Sequence, residues 1–218
     1  MRKTFLSFLL LIPCLALTAQ NLHIQVGPTF SKLNLESSAP GGNSLKFDKT
    51  VTGYTVQLGL DYLDLNYFNL STGFGYLQKG GKDSVNTASP EMTLNPNGIA
   101  KIRLDYITLN TVANLKFPIK GLLVPYVFAG PRLDYLMNYE EDTRVFGFYD
   151  DYAKVNRLIY GVIAGGGINV KLMRLTFGLS FDYYFNFNKP VDCTLGGTAV
   201  KISERTFAVN AKVGLRLK

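Results

Sequence analysis

Three features of the sequence together predict an all-β chain folded as an eight-stranded antiparallel up-and-down transmembrane β-barrel, with short periplasmic turns and long extracellular loops. Apolar and polar residues alternate with a period of two in segment after segment, which in a strand puts the two sets on opposite faces. The connections between these segments alternate long and short without exception. Beyond residue 20 no uninterrupted apolar stretch has the length of a membrane-spanning helix, and only helices and closed barrels satisfy every backbone group in lipid. The clearest segment is RLTFGLSFDYYFNFN, residues 174–188. Leu175, Phe177, Leu179, Phe181, Tyr183, Phe185 and Phe187 share one parity; Thr176, Gly178, Ser180, Asp182, Tyr184 and Asn186 share the other. One face is apolar and ends in aromatics, while the other is small, polar and carries an acid. That is a strand with lipid on one side and a polar lumen on the other.

At 218 residues the chain has room for one domain. Residues 1–19 read as a secretory signal peptide: Arg2 and Lys3 lead, an apolar run covers 5–17, and Ala19 offers a small residue for cleavage. Cys14 raises lipidation as a rival, against which Pro13 and the early position argue. Residues 20–218 then form the barrel domain. Its first strand, 22–32, sets Leu22, Ile24, Val26 and Phe30 outward and His23, Gln25 and Thr29 inward. The second, 52–62, sets Tyr54, Val56, Leu58, Leu60 and Tyr62 against Thr55, Gln57, Gly59 and Asp61. The third, 67–78, sets Phe68, Leu70, Phe74 and Tyr76 against Asn69, Ser71, Gly73 and Gly75. The fourth, 101–117, alternates cleanly only in its second half, where Thr108, Asn110, Asn114 and Lys116 face inward.

The fifth, 123–138, is phased by Arg132 and Asp134. An arginine at mid-depth on the lipid face costs about 2–4 kcal/mol, so these two point inward, with Tyr126 and Phe128. Pro125 and Pro131 each remove a ladder donor, and bulges are expected there. The sixth, 157–172, turns Gly161, Gly165, Gly167, Asn169 and Lys171 inward; the seventh is 174–188. The eighth, 205–218, places Phe207, Val209, Ala211, Val213 and Leu215 outward and Ala208, Asn210, Lys212, Gly214 and Arg216 inward. The connections are 33–51, 63–66, 79–100, 118–122, 139–156, 173 and 188–204. With tight turns at the periplasmic rim, Tyr54, Phe74, Tyr76, Tyr135, Tyr160, Tyr183, Phe185, Phe187 and Phe207 gather at the outer interface, and Tyr62, Phe68 and Phe117 at the inner one. Two aromatic belts emerge from a phase chosen on other grounds.

Candidate chemistry is sparse. Cys193 is the one cysteine left after processing, so neither an intrachain disulfide nor a cysteine zinc site forms, and no metal or cofactor is expected. The formal charge is +7, or +5 once Arg2 and Lys3 leave, and no basic cluster with aromatic interleaving suggests nucleic acid. His23 is the single histidine, and no serine–histidine motif surrounds it. A general base must reach its nucleophile, so no catalytic residue is assigned and the chain is read as non-enzymatic. The inward charges Asp61, Lys116, Arg132, Asp134, Lys171, Asp182, Lys212 and Arg216 form a lumen charge network that packs a narrow barrel, rather than a conducting or ligand-binding path. The inward glycines make room for Tyr126, Phe128, Tyr184 and Arg132. The loop 139–156 is a candidate extracellular contact surface, through Glu140, Glu141, Asp142, Phe146, Phe148, Tyr149, Asp150 and Asp151. A soluble lipocalin-like binder shares the strand count, but would turn its apolar face inward.

Three stretches resemble the small outer-membrane β-barrel family of Bacteroidetes-type bacteria, the PorT-like or outer membrane protein beta-barrel domain group. They are GFGYLQKGGK (73–82), LDYITLNTVANLKFPI (104–119) and PYVFAGPRLDYLM (125–137), with Ala129-Gly130-Pro131 the most family-like tripeptide. The resemblance covers nearly all of the mature chain and brings no shared catalytic residues. One departure is the C-terminal LRLK, where outer-membrane barrels commonly end in an aromatic residue. The chain is expected to be a monomer in the bacterial outer membrane, exported through the inner membrane, surrounded by lipid and lipopolysaccharide and inserted by the barrel-insertion machinery. Its role would be structural or interactive, with a secretion or assembly accessory as the alternative and a lipid-modifying enzyme as a further one.

Overall fold

The computed structural model describes residues 20–37, 49–84, 99–119, 122–141, 155–195 and 198–217. The expected signal peptide and Cys14 lie outside the described residues. Nine strands follow in order: β1 (Asn21–Ser37), β2 (Val51–Asp64), β3 (Phe68–Ser84), β4 (Ile99–Lys116), β5 (Leu123–Glu141), β6 (Leu158–Leu172), β7 (Leu175–Asn186), β8 (Val191–Leu195) and β9 (Thr198–Arg216). Each pairs antiparallel with its neighbour, and β1 pairs with β9 to close a ring of eight that leaves out the short β8. Closure removes the free edges that an open sheet would present.

The ladders set the size of the ring. Followed strand to strand, the register runs Leu22, Leu60, Thr72, Thr111, Pro131, Val162, Phe185, Arg205 and back into β1 at Lys32. Two of these steps continue the neighbouring pairs Asn110–Arg132 and Tyr184–Thr206 by one residue. The ring thus closes ten residues along β1, from 22 to 32. With about 3.3 Å per residue and about 4.8 Å between strands, that shear tilts the strands roughly 40° and gives a radius near 8 Å. Side chains from opposite walls meet at that radius.

The outward faces are apolar and bare: Leu179 is 63% exposed, Phe181 50% and Ile24 52%. Inward residues reverse this, with Asp134 and Asn210 fully buried. A soluble lipocalin-like barrel would show the opposite pattern, so the wall is built for lipid. Rings pair along the outer rim: Tyr54 with Tyr76 at 5.2 Å between centroids, Phe30 with Phe207 at 5.0 Å and Tyr183 with Phe185 at 4.4 Å.

Several strands run further than their alternation suggested. β3 and β4 continue to Ser84 and back from Ile99, pairing to their ends. The stretch 188–204, expected as a loop, instead holds β8 and the first turn-proximal pairs of β9. Val191 and Ile202, which lie opposite each other, are both buried, so apolar burial drives this hairpin. The expected bulges at Pro125 and Pro131 are absent, because the β5–β6 register passes both prolines unbroken. On the β4 side, where Pro125 lacks the ladder donor, its carbonyl still accepts from Phe117 N at 2.8 Å. The register shifts lie instead between Asp61 and Leu63 of β2, and between Asp105 and Tyr106 where β4 meets β5.

Candidate functional site

The lumen is layered along the barrel axis. At the long-loop end it is apolar: Leu33, Ile102, Leu104, Leu136 and Ile202 converge from four strands and are buried. A polar lumen throughout was expected. The difference arises because the polarity of the two faces inverts at this end: on β4 Lys101, Arg103 and Asp105 turn outward while Ile102 and Leu104 are buried inside.

Beneath this plug sits a buried ionic cluster. Lys79 Nζ lies 3.0 Å from Asp134 Oδ2 and 2.9 Å from Glu204 Oε1, and all three side chains are fully shielded. Arg132 binds the same Asp134 oxygen and also donates to Asn186 Oδ1. Thr206 Oγ donates to Glu204 at 3.1 Å. Aromatic faces complete the cage: Lys79 Nζ stands 4.9 Å from the Tyr106 ring centroid, and Arg132 Cζ 5.0 Å from that of Tyr184. Two cations face two carboxylates, so the cluster is neutral. In a narrow, water-poor interior that balance is what lets the charges persist.

Below the cluster the lumen is polar. Asp182 accepts from Asn210 Nδ2 at 2.6 Å and Ser180 Oγ at 2.7 Å, and Asn110 Nδ2 donates to Gln57 Oε1 at 2.9 Å. Nearer the short-turn rim, Lys116 pairs with Asp64, which also accepts from Asn21 Nδ2 at 3.1 Å. His23 Nδ1 stands 3.6 Å from Asp61. Two cavities of about 40 and 30 Å³ lie here, both touching His23, Tyr126 and Lys212. Each has room for a few waters and no more. Glycines set this packing. A Cβ at Gly167 would meet Tyr126 Oη at 2.8 Å, one at Gly165 would meet Phe128 Cζ at 2.7 Å, and one at Gly59 would collide with the His23 ring.

The eight charges predicted for the lumen therefore separate. Arg132 and Asp134 join the upper cluster, while Asp61, Lys116, Asp182 and Lys212 line the lower half. Lys171 and Arg216 sit exposed at the rim, Lys171 at the mouth of the larger cavity. Lys79, Glu204 and Asp64 had been assigned to connections, yet they are central. Continuing the inward parity of β3 from Gly75 through Leu77, and of β9 from Ala208 through Thr206, would have found the first two. Asp64 turns inward because the β2 register shift flips the phase after Asp61, which no alternation reveals. Of the candidate loop, Glu140 belongs to β5 and pairs with Arg103 at 3.1 Å, and Glu141 lies opposite Ile102. Asp142, Phe146, Phe148, Tyr149, Asp150 and Asp151 lie outside the described residues.

A family model described as "Outer membrane protein beta-barrel domain" matches residues 18–191. The chain belongs to that outer-membrane barrel family. No curated protein matches the sequence. Among solved structures, OprG of Pseudomonas aeruginosa aligns at a TM-score of 0.53 with 12% identity, over 91% of this chain and 97% of OprG. Neisserial surface protein A aligns at 0.48 with 13% identity over 90% and 97%. OmpW of Escherichia coli aligns at 0.45 with 14% identity over 91% and 98%. At these identities the likeness is one of fold. The lumen is thus layered: small polar-lined cavities lie below, and a shielded ionic cluster and buried apolar side chains lie above them among the described residues.

Proposed function

We propose that the chain is a non-enzymatic, non-conducting outer-membrane barrel, exported by the signal peptide at residues 1–19, whose work is done at its outer surface and extracellular loops. The observation that carries this reading is the sealed lumen. Among the described residues, the fully shielded Lys79–Asp134–Glu204–Arg132 cluster and the buried apolar residues above it fill the interior of the barrel. His23 supports the non-enzymatic part: it is buried on the inward face against Asp61, where membrane lipid does not reach. The protein reconstituted in a planar bilayer should show no stepwise conductance at 100 mV in molar salt. Regular unitary steps would refute the reading.

A monomer, with lipid and lipopolysaccharide as its surroundings, fits a ring of eight strands that closes on itself through the β1–β9 pairing. The loop-contact part is tested by affinity capture from outer membranes, comparing the full chain with one lacking residues 140–151; an identical partner set would sink it. The second reading, a secretion or assembly accessory, is favoured by the PorT-like stretches at 73–82, 104–119 and 125–137. A deletion strain with an unchanged set of secreted and surface proteins would remove it.

A further inference from the structure

On the outer wall, cross-strand pairing lines up cations that are far apart in sequence. Lys32 of β1 lies directly opposite Arg205 of β9, and Lys82 of β3 directly opposite Lys101 of β4. Lys49 bridges to Lys82 through both backbone hydrogen bonds, N to O at 3.2 Å and 3.3 Å. The β1–β2 register, continued one residue past Ser31–Val51, brings Lys32 beside Thr50 and so next to Lys49. The result is one basic row, Arg205, Lys32, Lys49, Lys82 and Lys101, crossing β9, β1, β2, β3 and β4. Four interstrand steps make it about 19 Å long.

Like charges directly opposite each other destabilise a sheet, and here three such pairs, Lys32–Arg205, Lys49–Lys82 and Lys82–Lys101, follow one another. None of the five has an ion-pair partner among the described residues. The neighbouring outward charges do have partners: Arg103 pairs with Glu140, and Asp105 accepts from Tyr76 Oη at 2.6 Å and Gln78 Nε2 at 2.9 Å. The row is also not level. Lys32 stands two residues above Phe30, a member of the aromatic belt, whereas Lys82 stands six above Tyr76. It climbs from the lipid interface up the extracellular wall, by roughly 12 Å at the strand tilt derived above.

Its lower end meets an apolar platform. Phe30 and Phe207 stack at 5.0 Å immediately below the Lys32–Arg205 pair, and Phe207 stacks on Phe181 at 5.6 Å. Phe181 in turn borders a lipid-facing groove of about 580 Å³, floored by Gly166 and walled by Ile168, Leu179 and Val209. Acyl groove, aromatic shelf and ascending cations thus follow one another along the wall. We propose that this face binds a phosphorylated glycolipid of the outer leaflet. Its acyl chain lies in the groove, a headgroup phosphate sits between Lys32 and Arg205, and the anionic glycan runs up toward Lys82 and Lys101. A phospholipid has the apolar part but not the reach, and a soluble polyanion has the reach but not the apolar part.

Full-length protein in detergent is titrated, with bound lipid read by native mass spectrometry, against four probes: lipopolysaccharide with a phosphorylated inner core, diphosphoryl lipid A, dioleoylphosphatidylglycerol and inorganic polyphosphate. The core-bearing glycolipid should bind most tightly. Lys32→Gln/Arg205→Gln should weaken both glycolipids about thirty-fold, whereas Lys82→Gln/Lys101→Gln should weaken the core-bearing one and leave lipid A unchanged. Arg103→Gln should change neither, and heat-modifiable gel mobility verifies that each variant is folded. Equal affinity in folded Lys32→Gln/Arg205→Gln would overturn the proposal. So would phosphatidylglycerol or polyphosphate binding the wild type as tightly as the glycolipid.

Discussion

Lys79 is the side chain whose loss the barrel should feel most. Among the described residues its ammonium is the one cation that contacts Glu204, at 2.9 Å, and it shares Asp134 with Arg132. Lys79→Met keeps an unbranched stem but removes the ammonium that stands over the Tyr106 and Tyr184 rings. A neutral set of two cations and two carboxylates then becomes net negative, in a site where every side chain involved is fully shielded. Breaking a buried pair from one side costs on the order of 3–5 kcal/mol. The assay is urea unfolding of the refolded barrel in lipid vesicles, followed by tryptophan-free tyrosine fluorescence and gel mobility. Lys79→Met/Glu204→Gln restores neutrality and should recover most of the loss, giving a coupling energy well above the few tenths of a kcal/mol at which independent sites add. If Lys79→Met unfolds within about 1 kcal/mol of wild type, the cluster is not the sealed, dry element described here.

Three further outcomes follow from the same geometry. Gly59→Ala places a methyl against the His23 ring and should destabilise the barrel by about 1–3 kcal/mol; in a His23→Ala background most of that cost should vanish, as read by the same urea titration. Leu179→Arg puts a guanidinium on a lipid-facing position that is 63% exposed and should cost about 2–4 kcal/mol of folding in vesicles, whereas Leu172→Arg, beside the Met173 turn, should cost about 1 kcal/mol or less; equal costs would contradict the assigned membrane band. Phe207→Ala removes two ring stacks, onto Phe30 and Phe181, worth about 0.5–1.5 kcal/mol each, and should lower the unfolding midpoint without altering mobility of the folded band.

The alternation of Leu175 to Phe187 already distinguishes lipid face from lumen, because the period of a strand is a local property of the backbone. Phase, aromatic belts and meander topology follow from it, and Arg132 and Asp134 orient β5 through the cost of a charge in hydrocarbon. The alternation is silent where a strand leaves the membrane, since both faces can then be mixed. That is why Lys79 and Glu204 looked like loop residues; Ile102 and Leu104 lie inside the expected strand 101–117 but on a stretch where the inward face is apolar and the outward face, with Lys101, Arg103 and Asp105, is charged. Asp64 was hidden for another reason: a one-residue register shift is set by how two strands pair, not by the residues of either one.

The sequence by itself thus determined where this protein lives and which way each strand faces, through a period-two pattern that any stretch of ten residues can carry. The tertiary structure decided what those faces meet. Lys79 reaches Asp134 and Glu204 only because the ring closes, and Lys32 stands beside Arg205 only because the first strand pairs with the last. Contacts across so much chain depend on shear and closure, which are properties of the whole ring.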